Sequence, residues 1–210
     1  MKSRQIDNIE ELILAGVDRL LARDGYDEVS VDSLAKEVGI KRETLYSHFP
    51  TKRDLMLSHV DRIVREVVRE LREVAEGPGH PVAKIRRMLI LRVMLRFDSV
   101  QHYAESLGEV LLDLRSSLLE RREHYFEAEA RFFAAVLGQG QKSGAFRVTD
   151  RVATANSLVE ATNAVLPFNL TEQELNHRSK FQKRVEQIAD LLVSALIEHR
   201  RSPVRANGRG

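Results

Sequence analysis

The 210-residue chain predicts an all-α protein, with a small three-helix N-terminal domain ahead of a larger helical one. Apolar residues recur at helical spacing almost throughout, and no run of four to eight residues alternates convincingly with period two. Glycine and proline also fall at intervals that cut the chain into helix-length pieces. Composition agrees: 43% apolar and 30% charged residues suffice for a core and a solvated surface.

In order along the chain, Ile6, Ile9, Leu12, Ile13, Val17, Leu20 and Leu21 paint one face of a first helix, which Gly25 stops. Ser30 can cap a short helix from Val31 to Val38, ended by Gly39. A second short helix covers Arg42 to about His48, because the residue before Pro50 avoids the helical region. Thr51 can cap a long helix from Lys52 to about Glu76. The segment GPGHP at 77–81 reads as a loop. Helices at roughly 82–97 and 109–137 follow, with an irregular piece near 100–107. Gly138, Gly140 and Gly144 are expected to break the pattern before a helix from Arg151 to Leu166, closed by Pro167. Thr171–Glu174 has the form of a capping box for the last helix, to about His199. The basic tail at 200–210 has little to bury and is expected to be disordered. Domains are therefore expected at 1–51 and 52–199.

Several classes of protein are excluded early. The longest uncharged stretch, Ala161 to Thr171, is eleven residues with a proline inside, against the ~20 a spanning helix needs. The N-terminus carries acids where a secretion signal needs an apolar run. There is no cysteine, hence no disulfide, thiol catalysis or cysteine zinc site. A soluble, cytoplasmic protein without membrane association is expected. GQGQKSG at 138–144 lacks the glycine spacing of a phosphate loop. His124 and Glu127 form the one metal-like spacing near the His-Tyr pairs, and it reads better as a solvated helix face. Asn169-Leu-Thr171 is a glycosylation sequon only in a secreted chain. No catalytic set, metal or cofactor is called for.

Residues 30–52, SVDSLAKEVGIKRETLYSHFPTK, carry the chemistry. Leu34, Ala35 and Val38 supply an inner face, Gly39 permits a sharp turn, Ile40 plugs it, and Leu45 and Phe49 anchor the next helix. That arrangement is a helix-turn-helix. It leaves Lys41, Arg42, Thr44, Tyr46, Ser47 and His48 free to point outward. Residues 36–53 hold five basic residues against two acidic ones, whereas residues 1–60 hold nine against eleven. Positive charge is thus gathered on the proposed reading face, where a phosphate backbone requires it.

The run GIKRETLYSHFPTKRDL resembles the recognition-helix signature of TetR-type transcriptional regulators, and ILAGVDRLLARDGYDEVSVDSLAKEVG resembles that family's first two helices. Lys41 stands where a small capping hydroxyl is usual, and Glu43 where glycine is common. The resemblance covers roughly residues 6–60 and implies a sequence-specific DNA-binding regulator, a repressor released from its operator by a small molecule. Within it Arg42 can bond two acceptors on a guanine edge. Tyr46, Thr44 and His48 can donate to phosphate, and Tyr46 is also large enough to pack partly in the small domain's core. Lys52 adds charge at a helix N-terminus. Ser30 and Thr51 either cap their helices or also lie against the sugar-phosphate backbone.

One short reading helix contacts few base pairs, so a homodimer on an inverted-repeat operator is expected. Its seam is expected from the last two long helices, through Val185, Ile188, Ala189, Leu192, Ala195 and Leu196 with Val152, Ala155, Leu158, Val159 and Thr162. The resemblance implies a small-molecule effector in the larger domain. Phe97, His102, Tyr103, Tyr125, Phe126, Phe132 and Phe133 are the aromatic candidates for its pocket; Arg92, His124, Asn156 and Asn163 are the polar ones. The segment from Asn163 to Leu175 resembles that of family members sensing fatty acyl or acyl-CoA compounds. A ligand-independent DNA-binding protein or an activator is the alternative reading, and a helical enzyme or carrier the third.

Overall fold

The computed structural model describes residues 2–197, with side chains from Ile9 onward. The Ile6 side chain, the expected helix end at His199 and the expected disordered tail lie outside the described residues. Every described element is helical: α1 (Lys2–Asp24), α2 (Val31–Val38), α3 (Arg42–His48), α4 (Lys52–Glu76), α5 (Pro81–Val100), a 3-10 segment (Gln101–Ser106), α6 (Leu107–Ser143), α7 (Arg151–Asn163), a 3-10 turn (Pro167–Asn169), α8 (Glu172–Leu175) and α9 (Arg178–Leu196).

Among the described residues no strand occurs. The first four helices follow the sequence closely because their ends are written in local chemistry. Ser30 and Ser33 form a reciprocal capping box at α2, and Thr51 caps α4. Gly25 and Gly39 adopt the left-handed conformation, with φ of 80° and 70°.

Three later boundaries differ from expectation. Gly138 and Gly140 lie inside α6, which runs on to Gly144 (φ 73°). Gly140 is there for close approach: a Cβ on it would sit 1.9 Å from the buried Phe146 ring. Second, α7 stops at Asn163 and not at Leu166, because Pro167 holds Leu166 extended (φ −75°, ψ 154°). Third, the Thr171–Glu174 box caps the one-turn α8, and α9 starts afresh at Arg178. Leu175 and Phe181 are both buried. On one continuous helix they would point about 120° apart, given 3.6 residues per turn. The break at Asn176–His177 lets both face inward, Phe181 stacking on Phe97 with ring centroids 4.6 Å apart.

In the larger domain α4, α5 and α6 pack on one another, α7 lies against α6, and α9 lies against α5. One apolar cluster joins Ile13, Leu34, Leu45 and Phe49 of the head to Leu55, Val93, Phe97 and Phe181 of the body. A second, around Leu71, Met88, Phe133 and Leu158, fills the far end. The head is therefore seated on the body through a shared core.

Candidate nucleic-acid interface

The reading helix is held from below by α1 and α2. Gly16 brings α1 and α2 together, since a Cβ there would lie 2.4 Å from Val38 Cγ1 and 2.9 Å from Leu34 Cδ1. From Gly39 the chain turns, with the Ile40 N–H donating to Ala35 O at 3.2 Å, and enters α3. Leu45 (0% exposed) and Phe49 (4%) pin α3 to the core. Lys41 starts the helix without a side-chain cap. Its charge stays in solvent, as expected of a residue replacing a capping hydroxyl.

The nominated contact residues then divide by what they already touch. Lys41, Tyr46 and Ser47 are exposed, and Thr44 is half-buried. Tyr46 stands 45% exposed, so it belongs to the surface and not to the core. The Ser47 hydroxyl donates to Thr44 O at 2.7 Å. Arg42 reaches back across the motif, its Nε 2.5 Å from Asp32 Oδ1 of α2, with both side chains exposed. His48 is half-buried, with Nδ1 3.5 Å from Glu10 Oε1. Ser30 accepts from Ser33 N at 3.1 Å and Thr51 from Asp54 N at 3.1 Å, so capping occupies both hydroxyls.

Lys52 has a structural commitment that its sequence position did not suggest. Its ammonium donates to Tyr26 O at 2.6 Å and sits 3.8 Å from the centre of the Tyr26 ring. Burial there lowers its pKa, although Asp27 and Asp113 oppose the shift. The same Tyr26 ties the head to the body. Its hydroxyl donates to Asp113 Oδ2 at 2.7 Å, and its N–H donates to Ser106 Oγ at 3.0 Å. Arg53 donates to the Ser116 and Ser117 hydroxyls, at 2.6 and 3.1 Å.

A second set of polar groups lies between α1, α4 and the 3-10 segment. His59 is fully buried, its Nε2 3.1 Å from the Tyr103 hydroxyl. Burial pushes its pKa down to about 4, partly offset by Asp18. Burial would raise the Asp18 carboxyl, but His102, His59 and Arg62 together hold it below the ordinary range. Residues 18, 26, 53, 59 and 113 escaped sequence reasoning, since their partners lie far along the chain and no periodicity marks them.

The expected effector residues are spread over several helices. Arg92 is fully buried and spends its guanidinium inside the fold, on Glu129, on Thr162 Oγ1 at 2.6 Å and on Asn163 Oδ1 at 2.6 Å. Phe126 lies under it, 5.6 Å from ring centre to guanidinium. Arg96 takes the other oxygen of Glu129. Tyr125 and Arg121 share Asp61 on the α4–α6 seam. His102 and Tyr103 stand at the junction of head and body, where a cleft of about 610 Å³ opens between the end of α1 and the 3-10 segment. Asn156 is exposed on α7. Phe97 and Phe133 are ordinary core, Phe132 is half-buried, and His124 is exposed.

The model of the bacterial regulatory proteins of the tetR family matches residues 13–58, the stretch that builds this head. Residues 13–58 thus form an N-terminal domain of the TetR type. It is 39% identical over 82 residues to the HTH-type transcriptional regulator EthR of Mycolicibacterium smegmatis, covering 39% of this chain and 38% of that one. The chain thus spans well under half the length of the EthR relatives it matches. A longer and weaker match joins it to the nucleoid occlusion factor SlmA of Vibrio campbellii, 21% identical over 170 residues, covering 79% of this chain and 86% of that one. In fold it is similar to a TetR transcription regulator from Haloarcula marismortui, with a TM-score of 0.67 at 16% identity over 91% of this chain and 100% of that one. A TetR-family regulator from Pectobacterium atrosepticum gives a TM-score of 0.70 at 16% identity, covering 93% of this chain and 97% of that one. The exposed face of α3 lies within the matched residues. Among the described residues no helix is long and apolar enough to cross a membrane.

Proposed function

We propose that this chain is a homodimeric TetR-type repressor that binds an inverted-repeat operator and leaves it when a small hydrophobic effector binds. The supporting observation is α3 itself: a seven-residue helix anchored through Leu45 and Phe49, carrying Arg42, Tyr46 and Lys41 in solvent. Phosphate contacts from Lys41, Thr44, Tyr46 and His48 fix register, and base contacts from Arg42 supply sequence preference. For Arg42 to read a guanine it exchanges Asp32 for the base, so the Asp32 pair holds the side chain near its working position in the free protein.

The dimer seam lies on the outward faces of α7 and α9. The earlier stripe is corrected in part: Ala155, Leu158, Val159, Thr162, Val185 and Ala189 are buried in their own domain. What remains outward is Val152 and Leu191, 57% and 72% exposed, with half-buried Ile188, Leu192 and Leu196 and the small Ala153, Ser157 and Ala195. Small residues let two helix pairs approach closely, which favours a four-helix seam. Coupling between effector and operator runs through the head-to-body ties at Tyr26, Arg53 and Arg62. A ligand-free reading is favoured by one observation: the nominated polar groups Arg92, Tyr103 and Asn163 are already satisfied within the fold.

Selection of duplexes from a random pool by the full chain tests the reading. An enriched two-fold motif that Arg42→Ala relaxes at one position per half-site supports base reading; a uniform loss of affinity reduces Arg42 to a phosphate contact. Release of the selected duplex by a fatty acyl compound supports the effector, and persistence of binding across acyl chain lengths favours the ligand-free reading.

A further inference from the structure

The outermost side chain of the reading helix is an acid. With about 100° between successive residues, Glu43 and Ser47 lie ~160° from the buried Leu45, whereas Arg42, Thr44 and Tyr46 flank that ridge. Ser47 turns its hydroxyl back to the Thr44 carbonyl, and Arg42 is drawn aside to Asp32. Glu43 is exposed and makes no ion pair or hydrogen bond among the described residues, so the free charged group at the centre of the face is negative. It is also the second residue of α3, at the end of the helix that meets base edges when such a helix enters the major groove.

A carboxylate in that place is repelled by phosphates and cannot accept from them. Its complementary partners in the groove are the exocyclic amino groups of cytosine and adenine, and cytosine N4 offers a donor without a neighbouring acceptor. Resting on the DNA-binding reading above, we propose that Glu43 is a specificity-determining residue: it accepts a hydrogen bond from a cytosine amino group and fixes one base pair of each half-site. The same charge weakens binding to unrelated duplexes, since no base there repays the repulsion. Glu43 thereby divides the work with Arg42: the acid selects a donor edge, the guanidinium an acceptor edge.

A competing role is purely structural. An acid in the first helical turn favours the helix dipole, and α3 lacks a side-chain cap. Parallel selection with wild type, Glu43→Gln and Glu43→Ala at one salt concentration, with melting curves for all three, separates the roles. The wild type is expected to enrich a C·G pair at one position beside that set by Arg42. Glu43→Gln is expected to move that position toward adenine, which a glutamine matches with two hydrogen bonds. Glu43→Ala is expected to lose roughly ten-fold discrimination there, to leave other positions unchanged and to bind random duplex more tightly. Identical motifs from all three proteins, with or without a lower melting temperature, overturn the assignment and leave Glu43 as a helix-end charge. A wild type that enriches nothing while folded removes the DNA-binding reading itself, and this assignment with it.

Discussion

The head and the body use charged side chains in opposite ways. On α3 Arg42, Glu43, Tyr46 and Ser47 stand in solvent over an apolar anchor, and the ties that Arg42 and His48 make are to single exposed acids. Such pairs contribute little and exchange readily, on the order of 0–1 kcal/mol each. At the middle of α5, Arg92 and Glu129 are wholly buried, and Thr162, Asn163 and Arg96 complete their bonding. Removing one member there strands a charge without water. Burial, with Arg96 adding to it, lowers the Arg92 pKa to about 10 even though Glu129 opposes the shift. The difference teaches that a polar residue at a helical position is an available contact only where the fold has not already used it.

The largest effect should follow from breaking the buried set. Glu129→Ala is expected to destabilise the chain by about 3–5 kcal/mol, because two guanidiniums lose their shared carboxylate. Denaturant titration measures it, and a loss under about 1 kcal/mol would mean that water replaces the carboxylate. Replacing Arg92 and Glu129 together by methionine should restore much of the loss. The junction comes next. His59 has a folded pKa of about 4, below its ordinary 6.5, so the unfolded chain binds the additional proton between those values. Its contribution is complete above pH 6.5 and is lost as pH falls toward 4, amounting to on the order of 3 kcal/mol. Stability measured from pH 7 to 4 should fall less steeply in His59→Gln than in the wild type. The smallest effect belongs to the head. Lys41→Ser supplies the cap that α3 lacks and is expected to add about 0.5–1 kcal/mol, read from the melting temperature. Weaker duplex binding by the same variant would show that the ammonium earns its place on phosphate.

The comparison also explains which parts were legible. The head was legible because its signals are local: Ser30 and Thr51 cap N–H groups three residues on, Gly39 turns the chain, and Leu45 and Phe49 face inward by helical spacing alone. Gly16 carried no such mark, since its need for a missing side chain comes from Val38 and Leu34 on another helix. In the body the same reasoning identified the helices but misjudged two of their glycines. Gly138 and Gly140 continue α6, and Asn156 faces solvent while its neighbour Ala155 is buried.

The sequence alone was enough for the all-helical class and for the turn between α2 and α3. Each depends on spacing along a single helix or on a cap within a few residues. Only the tertiary structure decided that Lys52 belongs to Tyr26, that Arg92 belongs to Glu129, and that α9 restarts after Asn176. Those outcomes depend on which helices lie against each other. Burial converts that neighbourhood into an energetic requirement, because a charge or donor removed from water takes the partner that the packing brings to it.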